Sequence, residues 1–338
     1  MIRKNASFAA IVAAVATAVM LSVLSSSNPI EALRSFILSP LLNRYHFGNM
    51  VSYAALLMLT GGGVIFAFSS GSFNLGGEGQ TYLAAFITAV ILTNTAPSPF
   101  VRIGVFAIAA VSGGVLAGFS GMLRVRLGAD ELITTFLVSS ATIPVVDYLI
   151  SGPLRDRGSN LLATPLIAES YRLTRLAPPS HLSGALFLGL GASIFLWILL
   201  RYTLFGYEMR ITGQNRDLAR YAGLPVGTLT TLPMTLSGAL HGLAGAALVT
   251  GVHYRAITGF TSGLGWNGIA VALIARNNPV LLIPAALLFS YLNAGSSAAV
   301  VESQATWEFG AILQAVVFLF VTAEGLGRIN PIRKAQKK

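Results

Sequence analysis

Ten apolar runs divide nearly the whole chain, near residues 8–26, 48–69, 79–95, 100–123, 130–151, 182–201, 225–251, 266–276, 279–298 and 307–326. Several approach the roughly 20 residues that carry an α-helix across a bilayer. A chain patterned this way has few folds open to it. Hydrocarbon offers no water to backbone N–H and C=O groups, so each run must close its own hydrogen bonds as a helix. An all-α integral membrane protein with about ten transmembrane helices is therefore expected. Composition agrees, because 54% of the 338 residues are hydrophobic and only 10% charged, against about 25% charged in soluble domains. In such a chain the formal net charge of +10 reports loops on the cytoplasmic side and not a nucleic-acid partner. The sequence has no cysteine, which excludes disulfides and thiolate metal sites. His46, His181, His241 and His253 lack metal-ligand spacing, so no metal is expected.

The cations orient the spans. All four lysines, Lys4, Lys334, Lys337 and Lys338, lie in the two tails, which places both termini in the cytoplasm and requires an even number of spans. Ten spans then put Arg124, Arg126, the stretch 201–220 and Arg276 on the cytoplasmic side. One loop disagrees: 152–181 comes out external yet carries Arg155, Arg157, Arg172 and Arg175, along with Asp156 and Glu169. The first run, 8–26, is longer than the usual core of a signal peptide and reads as a retained span. Trp197 and Trp307 fit interfacial positions. The whole chain, 1–338, reads as one membrane domain, with an external loop at 152–181, a cytoplasmic loop at 202–224 and a basic cytoplasmic tail at 327–338.

Two glycine-rich interruptions stand out. Phe73-Asn74-Leu75-Gly76-Gly77-Glu78-Gly79-Gln80 follows the second run and holds the only carboxylate between Glu31 and Asp130. An ionised side chain at membrane depth costs about 2.5–3.5 kcal/mol on insertion scales, so it faces a bundle interior, a cavity or water. Thr261-Ser262-Gly263-Leu264-Gly265-Trp266-Asn267-Gly268 follows the seventh run. If spans 2–5 and 7–10 are two halves of opposite direction, the breaks occupy matching places in an inverted repeat, the best sequence pointer to a solute site. Asn74, Glu78, Gln80, Trp266 and Asn267 are the first candidates to line a path. Asn74, Glu78 and Gln80 have a second reading, in which they satisfy backbone groups freed at the helix break. His241 could touch solute, reach an aqueous crevice or bond a neighbouring helix, and the last is preferred. Phe136 and Tyr148 sit at apolar spacing and read as packing. Gly113-Ala117-Gly121, Gly114-Gly118 and Gly238-Gly242-Ala246 repeat small residues every four positions and read as close helix contacts.

Between Arg201 and Pro225 the chain is too polar to span. Asp217 to Tyr221 can form a short helix with Asp217 and Arg220 one turn apart, Gly223 as its cap and Pro225 opening the next element. Such a helix on the cytoplasmic face suits docking, although a plain basic loop would look similar.

Several segments together resemble the membrane permease of an ATP-binding-cassette importer, in the branch for simple sugars and nucleosides that is related to branched-chain amino acid permeases. Residues 73–80 are similar to that branch's Phe-Asn-Ile-Gly-x-Glu-Gly-Gln signature. Gly128-Ala129-Asp130-Glu131-Leu132-Ile133-Thr134-Thr135 resembles its Gly-x-Asn-Glu-Val-Ile-x-Thr stretch. Ser237-Gly238-Ala239-Leu240-His241-Gly242-Leu243-Ala244-Gly245-Ala246 resembles its Ser-Gly-Ala-Leu-Ala-Gly-Leu-Ala-Gly-Ala helix, and 268–273 with Asn278-Pro279 match a further block. The resemblance covers roughly 45–325 and implies a type II importer fold. Three positions depart from it: Asp130 where asparagine is usual, His241 in place of a small residue, and Ser139-Ser140 where nucleoside-like members tend to have leucine and asparagine.

The resemblance implies that Asp217-Leu218-Ala219 with Gly223 is the segment that couples to an ATPase, with Gln214, Arg216, Asp217, Ala219, Arg220 and Gly223 as contact residues. It also implies two permease subunits, identical or paralogous, two cytoplasmic ATPase domains and an extracytoplasmic solute-binding protein, in a bacterial inner membrane. The sequence holds no Gly-x-x-x-x-Gly-Lys-Ser/Thr loop, so ATP would be used by the partner and no cofactor is expected here. The expected cargo is a polar ring-bearing solute: nucleosides first, then riboflavin, which a related branch carries, then simple sugars. Two other classes compete. An ion-coupled secondary carrier also uses inverted repeats and broken helices, but would leave the coupling-like loop without a task. An intramembrane serine hydrolase would use Gly118-Phe119-Ser120-Gly121 with His241 as base, which must approach within about 3 Å.

Overall fold

The structure, a computed structural model, describes residues 28–303 together with Ala16, Met20, Ile312 and Ala315. Apart from those four residues, the expected spans at 8–26 and 307–326, with Trp307 and the tail 327–338, lie outside the described residues. Eleven α-helices make up most of what is described. Contacts group the chain into two units, one of 1–51, 177–180 and 287–338, the other of 52–176 and 181–286.

In the first unit, α1 (Pro29–Leu42) is a helix that the apolar runs do not announce. Pro29 at its first position presets the helical φ and gives up no needed donor. Ala32, Ser35, Phe36 and Pro40 form its buried face. Within the same unit Gly295 lies so close to the Phe36 carbonyl that an added Cβ would meet it at 2.4 Å. Ser39 donates to Glu302 at 2.6 Å, and His46 Nε2 stands 3.3 Å from the same carboxylate.

The second unit holds the end of α2 (Arg44–Ser69), then α3 (Gly77–Asn94), α4 (Pro99–Leu127), α5 (Glu131–Ser151), α6 (Ala185–Tyr202), α7 (Leu204–Gln214), α8 (Arg216–Tyr221), α9 (Thr228–Leu248), α10 (Leu264–Ile274) and the start of α11 (Leu282–Ser303). Among the described residues, six helices are long and apolar enough to cross a membrane: α2, α4, α5, α6, α9 with its π-helical extension to His253, and α11 with its preceding turn. The two remaining expected spans, at 79–95 and 266–276, are α3 and α10, the helices that begin at the glycine-rich breaks. At 11 residues and about 1.5 Å per residue, α10 reaches about half the thickness of a bilayer core.

Helices α4 and α9 pack through the small-residue faces read from the sequence. A Cβ on Gly238 would meet the Gly113 carbonyl at 2.2 Å, and one on Gly242 the Ala109 carbonyl at 2.0 Å. Both α2 and α9 are mostly buried within the chain, whereas α4, α5 and α6 present rows such as Ile103, Leu137 and Phe195 outward. Phe136 and Tyr148 belong to that outward set, so the packing reading of these rings is corrected. The reason is physical: in a bilayer, apolar spacing marks a lipid- or subunit-facing row as readily as a core.

The loop after α5 is not loose. Its backbone pairs with the segment after α9, through Thr164 N to the Ala256 carbonyl at 2.9 Å, Ile167 N to Tyr254 at 2.9 Å and Thr258 N to Leu162 at 3.1 Å. Arg172 and Arg175 stand over the Tyr254 ring at 4.8 and 5.7 Å. The loop therefore fixes the segment that leads into the second break.

Candidate functional site

The two glycine-rich breaks meet at one side chain. Glu78, in the first turn of α3, accepts hydrogen bonds from Thr261 Oγ1 at 2.6 Å, Gly263 N at 3.0 Å and Gly265 N at 2.7 Å. These donors open α10, whose first amides have no partners within their own helix. A carboxylate there satisfies them and sits against the positive end of the helix dipole. Gly263 is left-handed at φ 79°, as a turn into a helix often requires of glycine. Gly265 approaches the start of α3 so closely that a Cβ would lie 2.2 Å from Glu78 N.

Asn74 and Gln80 hold the first break from inside. Their amides exchange reciprocal hydrogen bonds of 2.9 Å, Asn74 also donates to Ser237 Oγ at 2.9 Å, and its oxygen accepts from Gly76 N at 3.0 Å. Both side chains are fully buried. Helix α5 braces the same break: Thr135 Oγ1 accepts from Leu75 N at 3.1 Å and Ser139 Oγ from Gly79 N at 2.8 Å. Ser139, at one of the three departures from the family pattern, thus supplies the partner of an orphan amide in the first turn of α3.

Of the second break's candidates, Asn267 turns inward and donates to Tyr53 Oη at 2.8 Å. Trp266 turns outward, is 38% exposed, and pairs with the 44%-exposed Phe136 at a centroid separation of 6.0 Å. His241 does not bond a neighbouring helix. Its Nδ1 donates to the Ser237 carbonyl of its own α9 at 2.8 Å, because the ring is wedged between two glycines of other helices. A Cβ on Gly63 would meet Nδ1 at 2.8 Å, and one on Gly77 would meet Nε2 at 2.4 Å. Nε2 has no hydrogen-bond partner among the described residues. The hydrolase pairing fails on this geometry. Ser120 is followed by Gly121, which rests on Thr231 and Met234, about 10 Å of helix rise before His241.

Three contributors, Tyr82, Asp147 and Tyr53, escaped the sequence reading. Tyr82 donates to Asp147, accepts from Gly259 N at 2.8 Å, and so anchors the second break to α5. Asp147, deep inside the run 130–151, carried the same signal as Glu78. Tyr53 gave none.

The polar segment after α6 folds as two helices. Helix α7 is absent from the sequence reading, although Thr203 marks its start by accepting from Gly206 N at 3.1 Å. Asn215 caps α8 through Leu218 N at 2.9 Å, and Gly223, left-handed at φ 76°, ends it. This region touches the first break. A Cβ on Gly71 would lie 2.9 Å from Gly213 Cα, Arg216 donates to Ser72 Oγ at 3.5 Å, and Arg124 pairs with Glu131 while reaching the Gly71 carbonyl at 3.5 Å. Burial, with Arg220 adding, pushes the Arg216 guanidinium below its ordinary value. Ala219 is buried and anchors α8, Gln214 and Gly223 are exposed, and Asp217 and Arg220 form an exposed pair at 3.6 Å. Leu218 and Tyr221, 59% and 91% exposed on the same helix, were not among the candidates.

A family model described as branched-chain amino acid transport system / permease component matches residues 47–322. The chain is 34% identical over 322 residues to the probable riboflavin import permease protein RfuC of Treponema pallidum, spanning 94% of this chain and 84% of that protein. It is 32% identical over 287 residues to the guanosine ABC transporter permease protein NupP of Bacillus subtilis, spanning 82% and 81%. With the glucose ABC transporter permease protein TsgB13 of Haloferax volcanii it shares 27% over 326 residues, spanning 93% and 86%. Among solved structures, PsaBC from Streptococcus pneumoniae in complex with Fab aligns at a TM-score of 0.51 and 13% identity, covering 86% of this chain and 95% of that one, a likeness of fold alone. The chain belongs to the branched-chain amino acid transport system / permease component family, and is a multi-pass membrane permease subunit of an ABC importer, a transport subunit and not an enzyme.

Proposed function

We propose that this permease passes a flat heterocycle bearing a hydroxylated chain or sugar, a nucleoside or riboflavin, with simple sugars as the third class. The observation that carries the reading is the exposed Trp266–Phe136 pair at the mouth of the two breaks, a surface on which a flat ring can stack. The two relatives that share about a third of their residues with the chain are named for riboflavin and guanosine, which have this chemistry in common. Asn74, Glu78, Gln80 and Asn267 act behind that surface by fixing its shape, and His241 by filling the space beside Gly77. A base–aromatic stack is worth about 1–3 kcal/mol. Trp266→Ala should therefore raise the KM for the transported ring compound about tenfold and leave assembly intact. An unchanged KM for guanosine, riboflavin and glucose alike would remove Trp266 from the path.

The remaining parts form one machine in this reading. Ten spans with both termini in the cytoplasm cross a bacterial inner membrane. Spans 2–5 and 7–10 are inverted halves whose broken segments meet at Glu78. A second permease, identical or paralogous, closes the path against the outward face of α5 and Trp266. The loop 152–181 faces an extracytoplasmic solute-binding protein, and α7–α8 faces a cytoplasmic ATPase that uses the ATP. Nucleotide-driven motion of α8 would pass through Arg216–Ser72 and Gly213–Gly71 into the first break and on to α10 through Glu78. Each ATPase state would then favour one of two permease conformations, the differential interaction any such switch requires.

Docking should centre on Tyr221, with Leu218 beside it, because residues that dominate interface energy are enriched in tyrosine and contribute about 2 kcal/mol or more each. Tyr221→Ala should cut ATPase co-purification roughly 30-fold while the permease alone keeps its melting temperature, since this side chain is almost wholly exposed. Co-purification at the wild-type level would move the docking site away from α8.

A further inference from the structure

We propose that the chain holds an anionic phospholipid, with its phosphate in a basic pocket at the end of α6 and an acyl chain in the apolar groove that continues from it. The pocket encloses about 530 Å³ and is lined by Trp197, Arg201, Tyr202 and Arg210 with Asn277 and Asn278. No carboxylate lines it, and neither Arg201 nor Arg210 has an ion-pair partner among the described residues. Two guanidinium groups beside two amide side chains supply donors without acceptors of negative charge, the arrangement that suits a phosphate. Trp197 and Tyr202 meet edge to face at 5.3 Å, as amphipathic rings do at headgroup level. Asn277 sits at φ 54°, in the left-handed region where asparagine is enriched.

The groove gives the pocket its lipid character. About 380 Å³ lies between α2, α6 and α9, walled by Phe66, Phe195, Leu196, Leu236 and Leu240. It shares two helices with the basic pocket, one turn apart on each. Phe66 lines the groove and Ser69 the pocket on α2, while Leu196 lines the groove and Leu200 the pocket on α6. The contacts Gly189 to Ala55 and Gly62 to Leu196 keep one offset, so α2 and α6 run side by side toward the pocket. The apolar groove and the cationic pocket thus lie one helical turn apart along the same two helices. The proposal rests on the cytoplasmic placement of α7–α8 given above, where anionic headgroups attract arginines and basic pockets between helices bind them.

Purified wild-type protein is incubated with equal amounts of phosphatidylglycerol and phosphatidylcholine, and retained lipid is counted by native mass spectrometry. Phosphatidylglycerol should be retained roughly 30-fold over phosphatidylcholine, the product of two arginine–headgroup attractions. Arg201→Gln with Arg210→Gln should abolish the preference, and Ala192→Trp, which fills the groove, should reduce retention of both lipids. Equal retention of the two lipids by the wild-type chain overturns the proposal without recourse to any variant. Displacement of phosphatidylglycerol by glycerol phosphate, with Ala192→Trp having no effect, would show a free-phosphate site and overturn the lipid. If the double variant keeps its lipid preference but loses its ATPase, the pocket is part of the docking face and the proposal falls, while the importer reading stands.

Discussion

Glu78→Ala should lower ATP-driven uptake at least 100-fold in protein that still inserts into the membrane. The carboxylate accepts three hydrogen bonds from the start of α10. Hydrogen bonds to a charged group contribute about 1.5–3 kcal/mol each, and buried donors left unmade cost about 1–3 kcal/mol each. Three donors left unmade therefore cost at least about 3 kcal/mol in the junction, and about 1.4 kcal/mol corresponds to a factor of ten. Glu78→Gln keeps the shape but turns an amide NH2 toward N–H donors, so an intermediate loss of about tenfold is expected. Melting without solute separates the two readings of this residue. If Glu78 holds the break, both variants melt lower in the absence of solute. If it serves as a solute contact, KM rises while the melting temperature stays at the wild-type value.

Gly77→Ala is the second large effect. The added methyl would lie 2.4 Å from His241 Nε2, and the ring cannot retreat because Gly63 already borders its other side. Overpacking of this kind costs about 1–3 kcal/mol, enough to cut transport roughly tenfold. All three nearest atoms to that methyl belong to the His241 ring, so His241→Ala should relieve the clash. The double variant should therefore be more active and melt higher than Gly77→Ala alone, with a coupling of at least about 1 kcal/mol in a double-mutant cycle. Additive losses would mean that the glycine answers to something other than the histidine.

How much of this was open to the sequence follows from the range of each interaction. Span positions came from runs of apolar residues, a local property, and the helices from α2 to α6 begin and end within a few residues of those runs. Helices α1 and α7 escaped because neither is a full apolar span; Pro29 and Thr203 were their only local signs. The breaks were visible as glycines around polar residues. Their joining was not, because the partners of Glu78 lie 183 to 187 positions away and nothing local encodes that distance. Phe136 misled for a different reason. A lipid bilayer is as apolar as a core, so spacing alone could not show that this ring faces outward beside Trp266. The replacement of a small residue by His241 was legible, but its explanation needed Gly63 and Gly77 on two other helices.

The central claim is that a separate ATPase drives solute through this chain. The direct test reconstitutes the permease with its partner subunits in vesicles and follows accumulation of labelled guanosine, riboflavin and glucose, with ATP supplied on the α8 side. The account predicts that one ring-bearing solute accumulates only with ATP, and that accumulation stops when the ATPase is omitted or Tyr221 is replaced by alanine. Accumulation that persists without any ATPase and follows an ion gradient would contradict it, and would leave α7 and α8 as a connector between spans.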